Sequence, residues 1–170
     1  MPNGTGRLES PARGIHAGEG IVFEQVDDKK MRGISYGKLP LDPAVAYMVV
    51  CGPFDDPAWE VANVAHEVGH ILYFWEMGRD EARAFFCTGV DATHLGVRRI
   101  SWQGQRVMLY GEALASLRGL DVLKQIGATH RSLATMKDMM IRLFATYCRT
   151  CTRDVVNEVL NDPQVRSLVN

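Results

Sequence analysis

Cysteine is sparse in this chain of 170 residues, and the four that occur, Cys51, Cys87, Cys148 and Cys151, are too scattered for a small secreted disulfide scaffold. Reduced thiols are expected. Long apolar runs are also missing: Ala44 to Cys51 is short and abuts Gly52-Pro53, well below the roughly 18–20 residues needed to cross a bilayer. Neither charge sign is in excess. Nineteen Lys and Arg against twenty Asp and Glu leave a net charge of -1, so no overall basic field would hold a nucleic acid or an anionic membrane. The first twenty residues are rich in Gly, Pro and charge and lack the apolar core, about 7–15 residues long, of a secretory signal. A cytoplasmic location is the expectation. Neither an internal repeat nor a low-complexity tract interrupts the chain.

Apolar residues make up 46% and charged residues 23% of the sequence, the balance of a globular protein with its own core. The length suits a single domain. Residues 1–19 are expected to be a flexible N-terminus and residues 20–170 one domain. Gly20 to Glu24, Met31 to Tyr36 and Ala44 to Cys51 are short runs rich in Val, Ile, Phe and Tyr with turn residues between them, and read as three strands. Pro57 to Met77 reads as a helix, opened by Asp55-Asp56 and stopped by Gly78, with apolar residues around nearly its whole circumference. It should run through the middle of the domain. A short helix is expected over Asp80 to Cys87, then a Gly-punctuated loop to Gly96, then a hairpin pairing Arg99–Trp102 with Arg106–Leu109 around Gln103-Gly104-Gln105. Helical spacing returns in Tyr110 to Ile126, Ser132 to Tyr147 and Asp154 to Leu160. Strands first and helices after them predict an α+β domain, a small N-terminal sheet packed on a central helix with a helical C-terminal half.

The central helix carries His66-Glu67-Val68-Gly69-His70, an H-E-x-x-H pattern. Residues four apart lie one turn up on the same helical face, so both imidazoles can reach one Zn²⁺ at about 2.0–2.1 Å. Glu67 is offset by one residue, where its carboxylate can accept a proton from a water that zinc has made acidic, with a pKa near about 7. Two buried imidazoles and a carboxylate in an apolar helix would also be costly without a shared partner such as a metal.

A catalytic zinc site normally has three protein ligands and one open position. Tyr73 and Glu76 stand where the extended pattern H-E-x-x-H-x-x-G-x-x-H wants Gly and His, which excludes the metzincin arrangement. Glu112 is the foremost third ligand, a carboxylate among the small residues of Gly111-Glu112-Ala113-Leu114-Ala115-Ser116 near the start of the next strong helix. A favourable charge at a helix N-terminus would also account for it. Asp91 and His94, in the expected loop, are rivals, while Glu76 and Glu81 face elsewhere.

On these residues the chain resembles the zincin metallopeptidases and, within them, the gluzincins, whose third ligand is a Glu on a later helix. His66-Glu67-Val68-Gly69-His70-Ile71-Leu72 is similar to the H-E-x-G-H helix of regulatory zinc proteases that cleave phage or stress repressors, and to that of neutral zinc peptidases. Glu112-Ala113-Leu114-Ala115-Ser116 resembles the glutamate helix of the latter. The resemblance implies a zincin-like fold over residues 20–170, zinc on His66, His70 and Glu112, Glu67 as general base, and a peptide or protein substrate lying along the Ala44–Cys51 strand by strand addition. Ser116 departs from the pattern, since many gluzincins place an Asp there to orient a zinc histidine. Tyr110, Tyr147, His94 and His130 are candidates to stabilise an oxyanion, Tyr110 foremost because it adjoins the ligand helix. The rival expectation is a zincin-like regulatory or protein-binding module whose metal site is structural or degenerate. The C-x-x-C of Cys148 and Cys151 reads as apolar filling at a helix end, and Met136, Met139 and Met140 as core or an interface seam.

Overall fold

The computed structural model describes residues 47–52, 54–77 and 79–170, with the short stretches 7–8, 21–25 and 34–36. The expectation of a flexible segment over residues 1–19 therefore falls outside the described residues, apart from Arg7–Leu8.

The expected α+β class is overturned: the described chain is a helical protein. Every regular element from Pro57 onward is helix, namely α1 (Pro57–Glu76), α2 (Arg79–Leu95), a 3₁₀ turn (Val97–Arg99), α3 (Trp102–Gln125), α4 (His130–Thr150), α5 (Arg153–Asn161) and α6 (Pro163–Val169). Among the described residues, strands are confined to Arg7–Leu8, Ile21–Gln25, Ile34–Tyr36 and Tyr47–Cys51, which pair edge to edge. Together these stretches span fewer residues than α3 alone, so the helices set the class. Val49, against Val68 and Ile71, forms a small satellite cluster, while the main core is helix on helix.

The hub is α3 rather than α1, because α3 packs against all five other helices. Gln105, Leu109, Glu112, Ser116, Gly119 and Leu123 are buried at the three- or four-residue period of a helix, and between them Gly111 to Ser116 are buried on every side. That period also explains why the expected hairpin over Arg99–Leu109 is absent. Ser101 caps α3 by accepting the Gly104 N–H at 3.1 Å, so the Gln-Gly-Gln stretch lies in the first turn of a helix, not between strands. Gln105 then ties the start of α3 to the α4–α5 joint, its amide donating to the Ile100 carbonyl (3.2 Å) and accepting from the Thr152 N–H (2.8 Å).

α2 outruns its expected end at Cys87. Nothing lies near the position a Gly89 side chain would occupy, and Thr88 and Thr93 bond back to carbonyls one turn earlier. The stop is Gly96, whose positive φ of 83° the Cβ-less residue adopts without strain. Beyond Asp162-Pro163 the chain continues as α6, capped by the Asp162 carboxylate on the Gln164 N–H at 2.8 Å. Its Val165 and Leu168 are wholly buried with Met140 and Phe144 of α4 and Val155 and Val159 of α5. Each such side chain contributes about 1.5–3 kcal/mol by leaving water. Met136, Met139 and Met140 are core residues, as expected. Among the described residues no helix is long and apolar enough to cross a membrane.

Candidate metal centre

The site lies where α1 crosses α3, and the sequence sets how close they come. A side chain at Gly69 would collide with the Ala115 carbonyl, and one at Gly119 with the Ala65 carbonyl, at 2.5 Å. Each helix therefore presents a glycine to the other's backbone. Asp56 and Pro57 set the start of α1, the Asp56 carboxylate accepting the Ala58 N–H at 2.9 Å. His66 and His70, one turn apart on α1, then face α3 at the level of Glu112.

There His66, His70 and Glu112 converge, all buried, with their ligand atoms within 4.8 Å of one another. The Oε2 atom of Glu112 is 3.1 Å from His66 Nε2 and 3.4 Å from His70 Nε2. Donors held at about 2.0–2.1 Å from a tetrahedral ion stand roughly 3.3–3.4 Å apart, so the observed separations suit a shared cation. This buried group can hold a metal ion. The rival ligands are not gathered: Asp91 and His94 lie exposed on α2, which is helix where a loop was expected. Glu76 is spent on Arg118, at 2.7 Å on the surface.

Electrostatics binds the three together. Burial opposes charge on His70, yet the charge of Glu112 and a hydrogen bond to it prevail, and with Glu67 they raise the imidazole above its ordinary value. For Glu112 burial favours the neutral acid, but His70 and His66 outweigh it and hold the carboxyl well below the usual carboxylate range. A proton shared with imidazole or a divalent cation can each neutralise this carboxylate. Glu67 is buried beside them, and its charge is felt at His70, Tyr147 and Cys51. Behind His66, the Ser116 hydroxyl lies 3.0 Å from Nδ1. On the other side, the His70 ring is flanked by Phe74 and Phe85, with centroids 6.4 and 6.3 Å away.

Of the oxyanion candidates, Tyr110 is turned away, its hydroxyl donating to Gln164 on α6 at 3.0 Å. His94 and His130 are exposed. Tyr147, half-buried on α4, is the one at the site: burial first, then the charges of Glu112 and Glu67 and a hydrogen bond to Glu112, push its hydroxyl far above the ordinary tyrosine value. Proximity in sequence favoured Tyr110, and only the packing of α4 on α1 reveals Tyr147. The aromatic wall of Phe74 and Phe85 was missed, although Phe74 stands four residues beyond His70 on the same helical face. The four cysteines are all free. Burial raises the Cys148 thiol to about 11, with Cys151 adding to it, which suits packing rather than reactivity. Compared with protein-family models, with curated proteins and with solved structures, the chain matches none.

Proposed function

We propose that the protein is a zinc-dependent peptidase in which His66, His70 and Glu112 hold the ion and Glu67 is the general base. The observation that carries this reading is the arrival of Glu112, from a separate helix, on the two histidines of H-E-x-x-H, with Glu67 buried alongside. Two imidazoles and one carboxylate are a donor set suited to zinc, and three protein ligands leave a position open for chemistry. Zinc, when bound, supplies Lewis acidity that activates a water and polarises the carbonyl under attack. Glu67 accepts the proton from the attacking water and delivers it to the leaving amine. Tyr147 is the residue for hydrogen bonding to an oxygen that gains charge, whereas Tyr47–Cys51, expected to carry the peptide, is paired on both sides by Ile21–Gln25 and Ile34–Tyr36 and has no free edge for strand addition.

A second reading, a metal that fastens α1 to α3 within a protein-binding module, is favoured by burial: His66, Glu67, His70 and Glu112 are each no more than 9% exposed. Elemental analysis and peptide cleavage separate the two. The peptidase reading expects near-stoichiometric zinc in parent and Glu67→Gln protein alike, with turnover lower in the variant by about 10²–10⁴-fold. Equal cleavage by both proteins refutes the role of Glu67. Zinc without cleavage of any peptide in a diverse library favours the module.

A further inference from the structure

Ser116 is wholly buried one turn beyond Glu112 on α3, and its hydroxyl touches two groups. Its Oγ lies 3.0 Å from the main-chain oxygen of Glu112 and 3.0 Å from Nδ1 of His66. A hydroxyl has one proton to donate and lone pairs to accept with. On a helix the serine side chain is aimed at the carbonyl four residues back, so that carbonyl receives the proton. Oγ then faces His66 as an acceptor, and a hydrogen must sit on Nδ1. In the neutral ring this leaves the lone pair on Nε2, the atom 3.1 Å from the Glu112 carboxylate.

We infer that Ser116 is a positioning residue that fixes the tautomer and plane of His66, making Nε2 the donor to a divalent cation of zinc-like preference. The inference rests on the metal-binding reading of the site and adds to it a circuit through one residue. The main chain of Glu112 orients Ser116, Ser116 orients His66, and the carboxylate of Glu112 meets His66 again at the cation. An uncharged hydroxyl fills the role, so no further carboxylate is buried behind the ring. The opposing arrangement is specific: Ser116 donates to Nδ1, and Nε2 keeps a hydrogen that it gives to Glu112. That tautomer offers the cation no lone pair.

Two measurements on the full chain decide between them. Nitrogen-15 NMR of the metal-free parent is expected to show a His66 Nδ1–H resonance protected from solvent exchange, whether or not Nε2 is also protonated, and Ser116→Ala is expected to lose that protection. Zinc affinity, read by competition with a chromophoric chelator, is expected to fall by about 10–100-fold in Ser116→Ala, with the helical circular dichroism unchanged. A bare Nδ1 with hydrogen on Nε2 in the parent overturns the inference, as does a zinc affinity in Ser116→Ala within about twofold of the parent's. The parent spectrum decides even if the variant does not fold. Failure of the metal reading shows differently, as no zinc uptake by the parent, and the Nδ1 assignment still stands or falls on its own.

Discussion

The α1–α3 crossing and the α4–α5–α6 end of the molecule are both helix packed on helix, yet they are built from opposite materials. The crossing is lined by Ala62, Ala65, Gly69, Ala115, Ser116 and Gly119, and encloses His66, His70 and Glu112. The other end is filled by Met140, Phe144, Val155, Val159, Val165 and Leu168, none of which titrates. Small residues let backbones approach, so side chains from two helices can meet at one point. They bury little apolar area in doing so. Large aliphatic side chains supply the area and set no ligand geometry. The first interface thus positions, while the second stabilises.

The strongest way to break this division is at the crossing itself. Gly69→Val drives two methyl groups into the α3 backbone at Ala115, where no flexible side chain can yield. We expect a loss of about 3 kcal/mol or more in urea unfolding, together with loss of zinc uptake. Leu168→Ala tests the other interface, because Met140 also reaches Gly119 at the crossing. Truncating this buried side chain should cost about 2–5 kcal/mol while leaving zinc stoichiometry in the folded protein unchanged. If zinc is lost there as well, the two interfaces are not separable.

The gentlest probe is pH, which alters no packed atom. In metal-free protein the Glu112 value is depressed below 4.5, so the stability it contributes is present above that pH and is lost as pH falls toward the depressed value. The His70 value is raised above 6.5, so its contribution is complete below that pH and is lost as pH rises through the raised value. Thermal melts should therefore place the metal-free maximum between these ordinary values, and saturating zinc should flatten the alkaline limb by replacing the proton. An alkaline limb of equal slope with and without zinc would contradict the shared site.

The positioning interface was largely legible in the sequence; of the stabilising one, α4, α5 and the buried methionines were expected and α6 was not. Asp-Pro at the start of α1, the His66–His70 spacing and the small residues after Glu112 are local signals that tertiary contacts leave unchanged. The same Asp-Pro signal opens α6, beyond Leu160, where the last expected helix stops. The hairpin expectation failed because Arg99–Leu109 is short, and over so few residues an alternating pattern and one helical face share positions. Gly89 misled because one glycine costs a helix only about 1 kcal/mol, too little to end α2. Tyr147 was among the candidates, but its preference over Tyr110 was beyond reach, since its place at the site depends on the packing of α4 against α1.

The glycine contacts at the crossing also bear on how this chain can vary. A helix can trade one leucine for another aliphatic residue with modest loss, but a backbone-to-backbone contact has no substitute of similar shape. Positions 69 and 119 are therefore as restricted as the ligands, although neither touches the cation. A joint pattern, His66-Glu67-x-Gly69-His70 followed later by Glu112-x-x-Ala115-Ser116-x-x-Gly119, describes a three-dimensional object rather than two helices. Any chain that carries both halves is expected to cross its helices at the same depth, whatever surrounds them.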